Sequence, residues 1–342
     1  MIRVLVVEDS PTSRQLLIAI LGGDPEIDVV GTAADGVDAV EQVAALRPDV
    51  ITMDVGMPRM NGLEATKMIM NQQPTPIVLV SASFLAQDVA WSMTALAAGA
   101  LTVVNKPSGP SAPDFEQVCR DLVETVKAMA QVKVVRRWPD RSAIQPPPAP
   151  SRHARCHVVA IAASTGGPGA LHRILGELPA NFPVPILLVQ HIAIGFAPGF
   201  VSWLDSISPL AVKLAAPGEL LRPGTVYVAP DDQHLGVADR RTIRIVKEPP
   251  IGGFRPSATY LYESLGRSFG DGVLGVILTG MGRDGVDGLR SLRAAGGPVI
   301  AQDEASSVVY GMSGAAVAEG LATAILSLDL IAKQIQLVVR GG

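Results

Sequence analysis

Three acidic side chains, one serine and one lysine lie just past the ends of apolar strand candidates. They follow four different candidates: Glu8 and Asp9 the first, Asp54 the third, Ser81 the fourth and Lys106 the fifth. In an open parallel sheet, ligands bind outside the carboxyl ends of the strands. Converging carboxylates repel one another unless a divalent cation neutralises them, and an all-oxygen ligand set suits Mg²⁺. An Asp beside such a cation can accept a phosphoryl group, which a hydroxyl and a lysine would help to bind.

Ser164 is the candidate nucleophile of the second half of the chain. The apolar strand candidate His157–Ala163 runs into it, and the turn 164–168 leads into a helix. Free backbone N–H groups at the start of that helix suit an oxyanion. The pattern A-x-S-x-G differs by one residue from the nucleophile elbow G-x-S-x-G. A helix N-cap and a phosphate loop are the alternatives, although the G-K-[ST] of a P-loop is absent.

A serine nucleophile needs a base, and two of the five histidines follow apolar strand candidates. These are His191 and His234, and their spacing does not decide which of them reaches Ser164. The other three lie in a proline-rich segment, at the start of a strand candidate and within a helix candidate: His153, His157 and His172.

The third member of a triad is expected after another strand. Asp284 lies in the glycine-rich loop that follows Val273–Thr279. An Asp there is either the N-cap of the next helix or a carboxylate that orients a histidine. Asp287, within the first turn of that helix, is the weaker candidate. The chain order Ser-His-Asp differs from three orders of hydrolase triads, Ser-Asp-His, His-Asp-Ser and Asp-His-Ser, which disfavours a standard α/β-hydrolase.

Alternating strands and helices must position these residues. The first half predicts a doubly wound parallel sheet with strands at Ile2–Val7, Val29–Ala33, Val50–Met53, Ile77–Val80 and Leu101–Val104. The second half has fully apolar strand candidates, typical of a sheet covered on both faces, at His157–Ala163, Ile186–Gln190, Thr225–Ala229, Val273–Thr279 and Pro298–Ala301. Two shorter segments are predicted to be antiparallel additions, Val212–Ala215 and Thr242–Val246.

Residues 131–155 are predicted to be a linker. They contain the run PPPAPS, which favours an extended spacer, and six basic residues: Lys133, Arg136, Arg137, Arg141, Arg152 and Arg155. An acidic partner is one interpretation of these charges, and a solvated linker is the better one. A length of 342 residues predicts about two domains. We therefore divide the chain into domains at 1–130 and 156–342.

Composition excludes several classes of protein. Hydrophobic residues make up 48% of the chain and charged residues 18%, which rules out a disordered protein. A net charge of −4 leaves no electrostatic footprint for nucleic acid. Two cysteines exclude a disulfide framework. The N-terminus does not have the pattern of a signal peptide, and no apolar run approaches the ~18 residues of a membrane span. We expect a soluble, cytoplasmic protein that neither inserts into membranes nor binds nucleic acid.

The first half resembles the response-regulator receiver domain over roughly residues 1–125. The resemblance rests on VVEDSP, MDVGMPRMNGLE, VSAS and VNKPS. It implies a flavodoxin-like fold in which a histidine kinase phosphorylates Asp54. It also implies that Ser81 is the switch hydroxyl and Lys106 the phosphate-sensing lysine. The implied Mg²⁺ ligands are Glu8, Asp9, Asp54 and the backbone carbonyl of Gly56.

The second half resembles the C-terminal domain of the chemotaxis protein-glutamate methylesterases over most of residues 156–341. Six motifs occur in order: AASTGGP, VQHIAIGF, VAPDDQHL, FRPSATYL, ILTGMGRDGVDGL and AQDEASSVVYGM. The resemblance implies a Rossmann-like α/β serine-esterase domain. In it Ser164 is the nucleophile, His191 the general base and Asp284 the residue that orients the base. His234 then has a structural or substrate-side role.

The same resemblance implies where the substrate binds and what it is. Thr165 and Gly166 lie at the expected oxyanion site, with Met281 beside it. The implied substrate is a γ-glutamyl methyl ester on the cytoplasmic helices of a chemoreceptor. It is hydrolysed through an acyl-enzyme without a cofactor, and glutamine side chains are deamidated by the same chemistry. The receiver domain is implied to block the esterase site until Asp54 is phosphorylated.

Two other functions stay open at this point. One is the same esterase in a non-chemotactic signalling array, and the other is a receiver-controlled binding module with a vestigial triad. A DNA-binding response regulator is disfavoured because the second domain is α/β and lacks a basic recognition helix. The chain departs from the usual family patterns at four positions: Gly56, Asn61, Ala162 and Ser313. None of them removes a catalytic atom.

Overall fold

The computed structural model describes residues 1–81, 86–132 and 156–341. They separate into two compact units, one within Met1–Asp140 and one within Arg141–Gly342. Most of the predicted linker, including its basic residues, lies outside the described residues, so the domain boundaries stay predictions. Among the described helices, none is long and apolar enough to cross a membrane.

The first unit is a five-stranded parallel sheet with strand order β2-β1-β3-β4-β5. Its strands are β1 (Ile2–Val7), β2 (Ile27–Ala33), β3 (Val50–Asp54), β4 (Ile77–Ser81) and β5 (Thr102–Asn105). Its helices are α1 (Pro11–Gly22), α2 (Gly36–Leu46), α3 (Gly62–Gln72), α4 (Ala86–Ala98) and α5 (Phe115–Met129). The predicted doubly wound sheet is therefore confirmed.

Side-chain caps fix where the first three helices begin. Ser10 accepts a hydrogen bond from Ser13 N at the start of α1, and Asp35 accepts two at the start of α2. Asn61 accepts one from Glu64 N at 2.9 Å and caps α3. Each cap satisfies backbone donors that a helix leaves free in its first turn. Because Asn caps a helix as well as Asp does, the departure at Asn61 leaves this turn intact.

The second unit contains a seven-stranded, all-parallel sheet with strand order β14-β13-β12-β6-β7-β9-β8. These strands are β6 (Val158–Ala163), β7 (Ile186–Gln190), β8 (Ala211–Leu214), β9 (Thr225–Val228), β12 (Val273–Ile277), β13 (Val299–Gln302) and β14 (Ala324–Leu326). A separate ribbon pairs β10 (His234–Val237) with β11 (Ile243–Val246). The helices are α6 (Gly167–Gly176), α7 (Ala197–Ile207), α8 (Ala258–Phe269), α9 (Val286–Ala294), α10 (Met312–Ala318) and α11 (Leu328–Arg340).

The prediction for the two short strands was wrong in one case and incomplete in the other. Val212–Ala215, predicted to be antiparallel, corresponds to β8 and runs parallel to β9. The reason is that α7 carries the chain back to the amino edge of the sheet, so the next strand starts in the same direction as β7. Thr242–Val246 corresponds to β11, which is antiparallel as predicted, but its partner is β10 and not the main sheet.

In both units the strand order places the candidate residues at a switch point. The chain leaves β1 toward β2 and returns to pair β3 on the other side of β1. Likewise it leaves β6 toward β7 and returns to pair β12 on the other side of β6. Crevices at such switch points are where open α/β sheets bind ligands. Asp54 ends β3 at one crevice, and Ser164 follows β6 at the other.

Candidate functional site

The acidic residues of the first unit meet at its switch point. Glu8, Asp9 and Asp54 each offer a carboxylate oxygen, and these oxygens lie within 4.8 Å of one another. Val55 N donates to Asp54 Oδ1 at 2.8 Å. Lys106 Nζ lies 2.9 Å from Asp54 Oδ2 and 2.8 Å from Glu8 Oε2. The lysine thus bridges two of the three carboxylates.

Burial controls the charges in this cluster. Glu8 is fully buried, and burial raises the pKa of its carboxyl; the bond from Lys106 opposes this effect, and the charge of Asp54 adds to it. Burial acts to lower the pKa of Lys106, but the charges and hydrogen bonds of Asp54 and Glu8 outweigh it and the net pKa is raised. The lysine is therefore held as a cation between the carboxylates.

The cluster fits a magnesium ion. Glu8 Oε2 is buried, and the contact that the described residues provide for it is the ammonium of Lys106, 2.8 Å away. The Gly56 carbonyl, just beyond β3, also accepts none in the described part of the chain. Carboxylate and carbonyl oxygens are the ligands that Mg²⁺ prefers.

Ser81 lies next to this cluster. It is buried at the end of β4 and pairs in register with Asn105 of β5. Lys106 N donates to Ser81 O at 2.9 Å. The predicted switch hydroxyl and the predicted sensing lysine therefore lie on adjacent strand ends.

In the second unit, backbone bonds fix Ser164 at the end of β6. Ser164 N donates to Thr279 O at 3.0 Å, and Ser164 O accepts from Gly167 N at 2.8 Å. Gly166 follows with φ at +78°, a left-handed conformation that favours glycine. A Cβ added there would lie 2.5 Å from the Cβ of Val308. The sharp turn therefore depends on glycine both for its backbone and for its space.

His191 lies beside Ser164 because β7 pairs directly with β6. Its N donates to Ala163 O at 3.0 Å. Its Nε2 lies 2.9 Å from Asp284 Oδ2, while Nδ1 is buried and forms no hydrogen bond with the described residues. Among the described residues no hydrogen bond joins the Ser164 hydroxyl to His191. In enzymes without substrate such bonds are commonly long and shorten when the substrate binds.

His234, the other candidate base, is occupied elsewhere. It opens β10 and is fully buried. Its Nε2 lies 3.1 Å from Pro249 O, and its Nδ1 accepts from Ser257 N at 3.2 Å. Both ring nitrogens are thus used by the backbone. The geometry therefore favours His191 over His234 as the candidate base.

Asp284 is held by four donors. Its carboxylate accepts from Ser257 Oγ at 2.7 Å, Ala258 N at 2.7 Å, Thr259 N at 3.2 Å and His191 Nε2 at 2.9 Å. Burial acts to raise the pKa of this carboxyl, but the bonds from His191, Ser257 and Ala258 outweigh it and the net pKa is lowered. The carboxylate is therefore ionised at neutral pH.

The alternative that Asp284 is the N-cap of the next helix was wrong, because Gly285 is at the N-cap position of α9 and that helix has no side-chain cap. The Asp284 carboxylate binds the first N–H groups of α8 and not those of α9, which follows it in sequence. The rival Asp287 lies on α9 and pairs with Arg290 at 2.8 Å on an exposed surface. Asp284 alone of the two contacts a catalytic candidate in the described structure.

Backbone donors flank Ser164 on two sides. In the described residues, the N–H groups of Thr165, Gly166 and Met281 donate no hydrogen bond. The loop that contains Met281 packs tightly on the serine, since a Cβ at Gly280 would lie 2.7 Å from Ser164 Cβ. Free N–H groups next to a nucleophile can stabilise a developing oxyanion.

Comparison with known proteins agrees with this geometry. Residues 159–335 match the CheB methylesterase family model, and residues 4–112 match the response regulator receiver domain. The chain belongs to the CheB methylesterase family. A protein-glutamate methylesterase/protein-glutamine glutaminase 4 of Myxococcus xanthus is 54% identical, over 99% of this chain and 98% of the relative. A similarly named protein of Anaeromyxobacter dehalogenans is 56% identical over 99% of this chain and 100% of the relative.

Structural comparison extends the match. The crystal structure of the Thermotoga maritima CheB methylesterase catalytic domain is 38% identical, with a TM-score of 0.52, and covers 54% of this chain and 98% of that one. These matches confirm three predictions. The chain belongs to the predicted family, it has two α/β domains, and it is a methylesterase joined to a receiver domain. The roles assigned to single residues stay predictions. Two departures from the CheB pattern are accommodated: Ala162 is buried in β6, and Ser313 donates to Ile277 O at 3.2 Å.

Sequence reasoning missed three residues at this CheB site. Gln190 Nε2 donates to Ser164 O at 2.9 Å and to His191 O at 2.8 Å, and so links the two candidate residues. Ser257 binds Asp284, and Phe254 stacks on His191. All three lie within the motifs VQHIAIGF and FRPSATYL, in which a role was predicted from the sequence for His191 alone.

Proposed function

We propose that this chain removes methyl groups from glutamate methyl esters on the cytoplasmic domains of methylated chemoreceptors, and deamidates specific glutamines there. The names of its relatives support this substrate class. One observation carries the assignment of the chemistry. An imidazole next to a serine on a tight turn is fixed through Nε2 by a buried carboxylate, and its Nδ1 forms no hydrogen bond within the described part of the chain.

The proposed first half-reaction forms an acyl-enzyme. Ser164 Oγ attacks the ester carbonyl carbon, and its proton passes to His191 Nδ1. The negative charge on the carbonyl oxygen is stabilised by the N–H groups of Thr165, Gly166 and Met281. As the C–O bond breaks, His191 gives its proton to the methoxy oxygen, and methanol leaves. With a glutamine substrate the C–N bond breaks instead, and ammonia leaves.

The second half-reaction regenerates the enzyme. Water attacks the acyl carbonyl carbon while His191 takes one of its protons. The bond to Ser164 Oγ then breaks, the serine recovers the proton, and glutamate is released. Asp284 stabilises the imidazolium that forms in each half and holds the ring with Nε2–H toward itself.

Regulation is proposed to reside in the receiver domain. A histidine kinase is the expected donor of a phosphoryl group to Asp54, with Ser81 and Lys106 responding to it. Glu8, Asp9, Asp54 and the Gly56 carbonyl would hold Mg²⁺, which when bound offsets charge on the transferring group. The closeness of the three carboxylates and the buried Glu8 oxygen support this assignment.

The test is methanol release from methylated receptor membranes, with and without a small-molecule phosphodonor and Mg²⁺. We expect release to rise with the phosphodonor and to vanish in Ser164→Ala and His191→Ala. Matched controls are Ser206→Ala and His172→Ala, which change the same residue types on the surface of the helices. Asp54→Asn is expected to keep basal release and lose the response.

Each negative outcome has a defined meaning. Release that survives Ser164→Ala would contradict the assigned nucleophile. Methanol release that does not change with the phosphodonor would support the esterase assignment but contradict control through Asp54. No release under any condition, from wild-type chain that is folded, would favour a binding module with a vestigial triad.

A further inference from the structure

The ring of Phe254 lies flat against the imidazole of His191. Their centroids are 4.3 Å apart and their planes differ by 12°. Of the aromatic contacts among the described residues, this is the closest and the most nearly parallel. Asp284 holds one edge of the same imidazole. A single contact at one edge leaves the imidazole plane free to turn. Phe254 covers one face of the ring and so restricts that turning.

A tight turn presents Phe254 to the histidine. Ile251 N donates to Phe254 O at 3.1 Å, and Phe254 N donates to Ile251 O at 3.0 Å. The two residues between them, Gly252 and Gly253, have φ of +59° and +88°. Two left-handed residues in such a turn define type I′, which glycine allows without strain. The sequence IGGF thus builds a defined support for one aromatic side chain.

The next residues anchor this support on both sides of the site. Arg255 Nε donates to Asp232 Oδ1 at 2.7 Å, and its Nη1 donates to Glu248 O at 3.1 Å. Two residues later, Ser257 Oγ donates to Asp284 at 2.7 Å. One short segment therefore contacts both the imidazole and the carboxylate that orients it.

We propose that Phe254 is a positioning residue for the esterase reaction: its ring fixes the plane of the His191 imidazole and stabilises the imidazolium that forms when Ser164 loses its proton. This inference rests on the proposed function, because it takes His191 as the general base. A cation is attracted to the negative face of an aromatic ring at this separation. The face of the Phe254 ring attracts a neutral imidazole less than it attracts an imidazolium. The contact is therefore stronger in the transition state than before the reaction.

A graded substitution tests the electrostatic part of the proposal. Phenylalanines with one, two and three ring fluorines at position 254 keep the shape of the ring while weakening its negative face. We expect kcat for methanol release from a methylated receptor fragment to fall stepwise, with KM nearly constant. Phe254→Leu should lower kcat about three- to tenfold. The matched control is Trp203→Leu, which removes a ring stacked at 5.4 Å on the surface residue His172.

A second measurement does not depend on turnover. In the full-length chain, the NMR signals of the His191 ring should titrate at progressively lower pH as fluorines are added, while those of His172 do not move. Asp284 is the charged group in contact with the ring among the described residues, and it is unchanged throughout the series. A His191 titration and a kcat that stay constant across the fluorinated series would overturn the proposal, even if Phe254→Leu is impaired.

The two readouts separate this proposal from the proposed function. If the wild-type chain releases no methanol, or releases it without Ser164, the proposed function fails and the titration still decides whether Phe254 stabilises the imidazolium. If release requires Ser164 but neither readout responds to fluorination, the esterase assignment survives and the role of Phe254 is rejected.

Discussion

The imidazole of His191 contacts the carboxylate of Asp284 through Nε2, at 2.9 Å, and its buried Nδ1 has no hydrogen-bond partner in the parts of the chain that the structure describes. Since Asp284 is ionised, Nε2 carries the proton of the neutral ring. In the proposed mechanism, the nitrogen that takes the serine proton is therefore Nδ1. This arrangement uses the two ring nitrogens in the roles opposite to those of the chymotrypsin-type triad, in which the Asp holds Nδ1.

The first prediction concerns this tautomer. Nitrogen-15 NMR of the full-length chain at neutral pH should show His191 with a proton on Nε2 and none on Nδ1. Asp284→Asn should allow the other tautomer and reduce kcat by on the order of a thousandfold or more. Asp287→Asn, on an exposed surface, is the matched control and should be close to wild type. A protonated Nδ1 in the wild-type chain would contradict the assigned geometry.

The second prediction concerns the bond from Ser257 to Asp284. Because the pKa of Asp284 is held below its ordinary value of 3.8, its bonds stabilise the fold above that pH, and the gain is lost as the pH falls through the lowered value. Ser257→Ala should lower the free energy of unfolding of the esterase domain by about 1–3 kcal/mol at pH 7. The difference in unfolding free energy between wild type and Ser257→Ala should become smaller as the pH falls below 3.8.

Urea unfolding of wild type and Ser257→Ala at pH 7, and at the lowest pH below 3.8 at which the wild-type chain stays folded, measures this difference. Ser206→Ala is the control, since its exposed hydroxyl bonds only to Trp203 O of its own helix among the described residues. A deficit of equal size at both pH values would show that Ser257 acts independently of the ionised carboxylate.

The third prediction concerns Lys106. Its ammonium neutralises Glu8 and Asp54, so Lys106→Met leaves two close carboxylates uncompensated. The receiver domain should lose about 3 kcal/mol of stability without Mg²⁺. Added Mg²⁺ should raise the unfolding temperature of the variant more than that of wild type, because a bound cation replaces the lost charge. Thermal unfolding with and without Mg²⁺ measures this, with the exposed Lys67→Met as control. An equal Mg²⁺ effect in both chains would contradict a shared site.

The fourth prediction concerns the two thiols. Burial raises the pKa of Cys156 to about 11 and also raises that of Cys119, which is only partly buried. Because the thiolate is the reactive form, iodoacetamide at pH 8 should label Cys119 at least about tenfold faster than Cys156 in the folded chain. Both should react at similar rates in urea. Peptide mass spectrometry after timed labelling measures the two rates, and equal rates in the folded chain would refute the burial of Cys156.

Much of the fold could be predicted from the sequence because its determinants are local. Apolar runs such as Ile186–Gln190 are fully buried strands, and the helix starts at Pro11 and Gly36 coincide with side-chain caps. The direction of β8 could not be predicted this way. A four-residue strand carries no signal for its partner, and the path of α7 decides which way it runs.

What the sequence by itself determined is which residues can do chemistry and that they follow strands: Ser164 after β6, Asp54 at the end of β3 and the acidic pair after β1. Spacing left His191 and His234 as equal candidates, and only the resemblance to the methylesterases favoured one. The tertiary structure separates them because β7 pairs with β6 in register at Ala163 and Gln190. His234 instead lies in a ribbon where the backbone uses both its nitrogens. Such pairing joins residues far apart in the chain, and no local pattern encodes it.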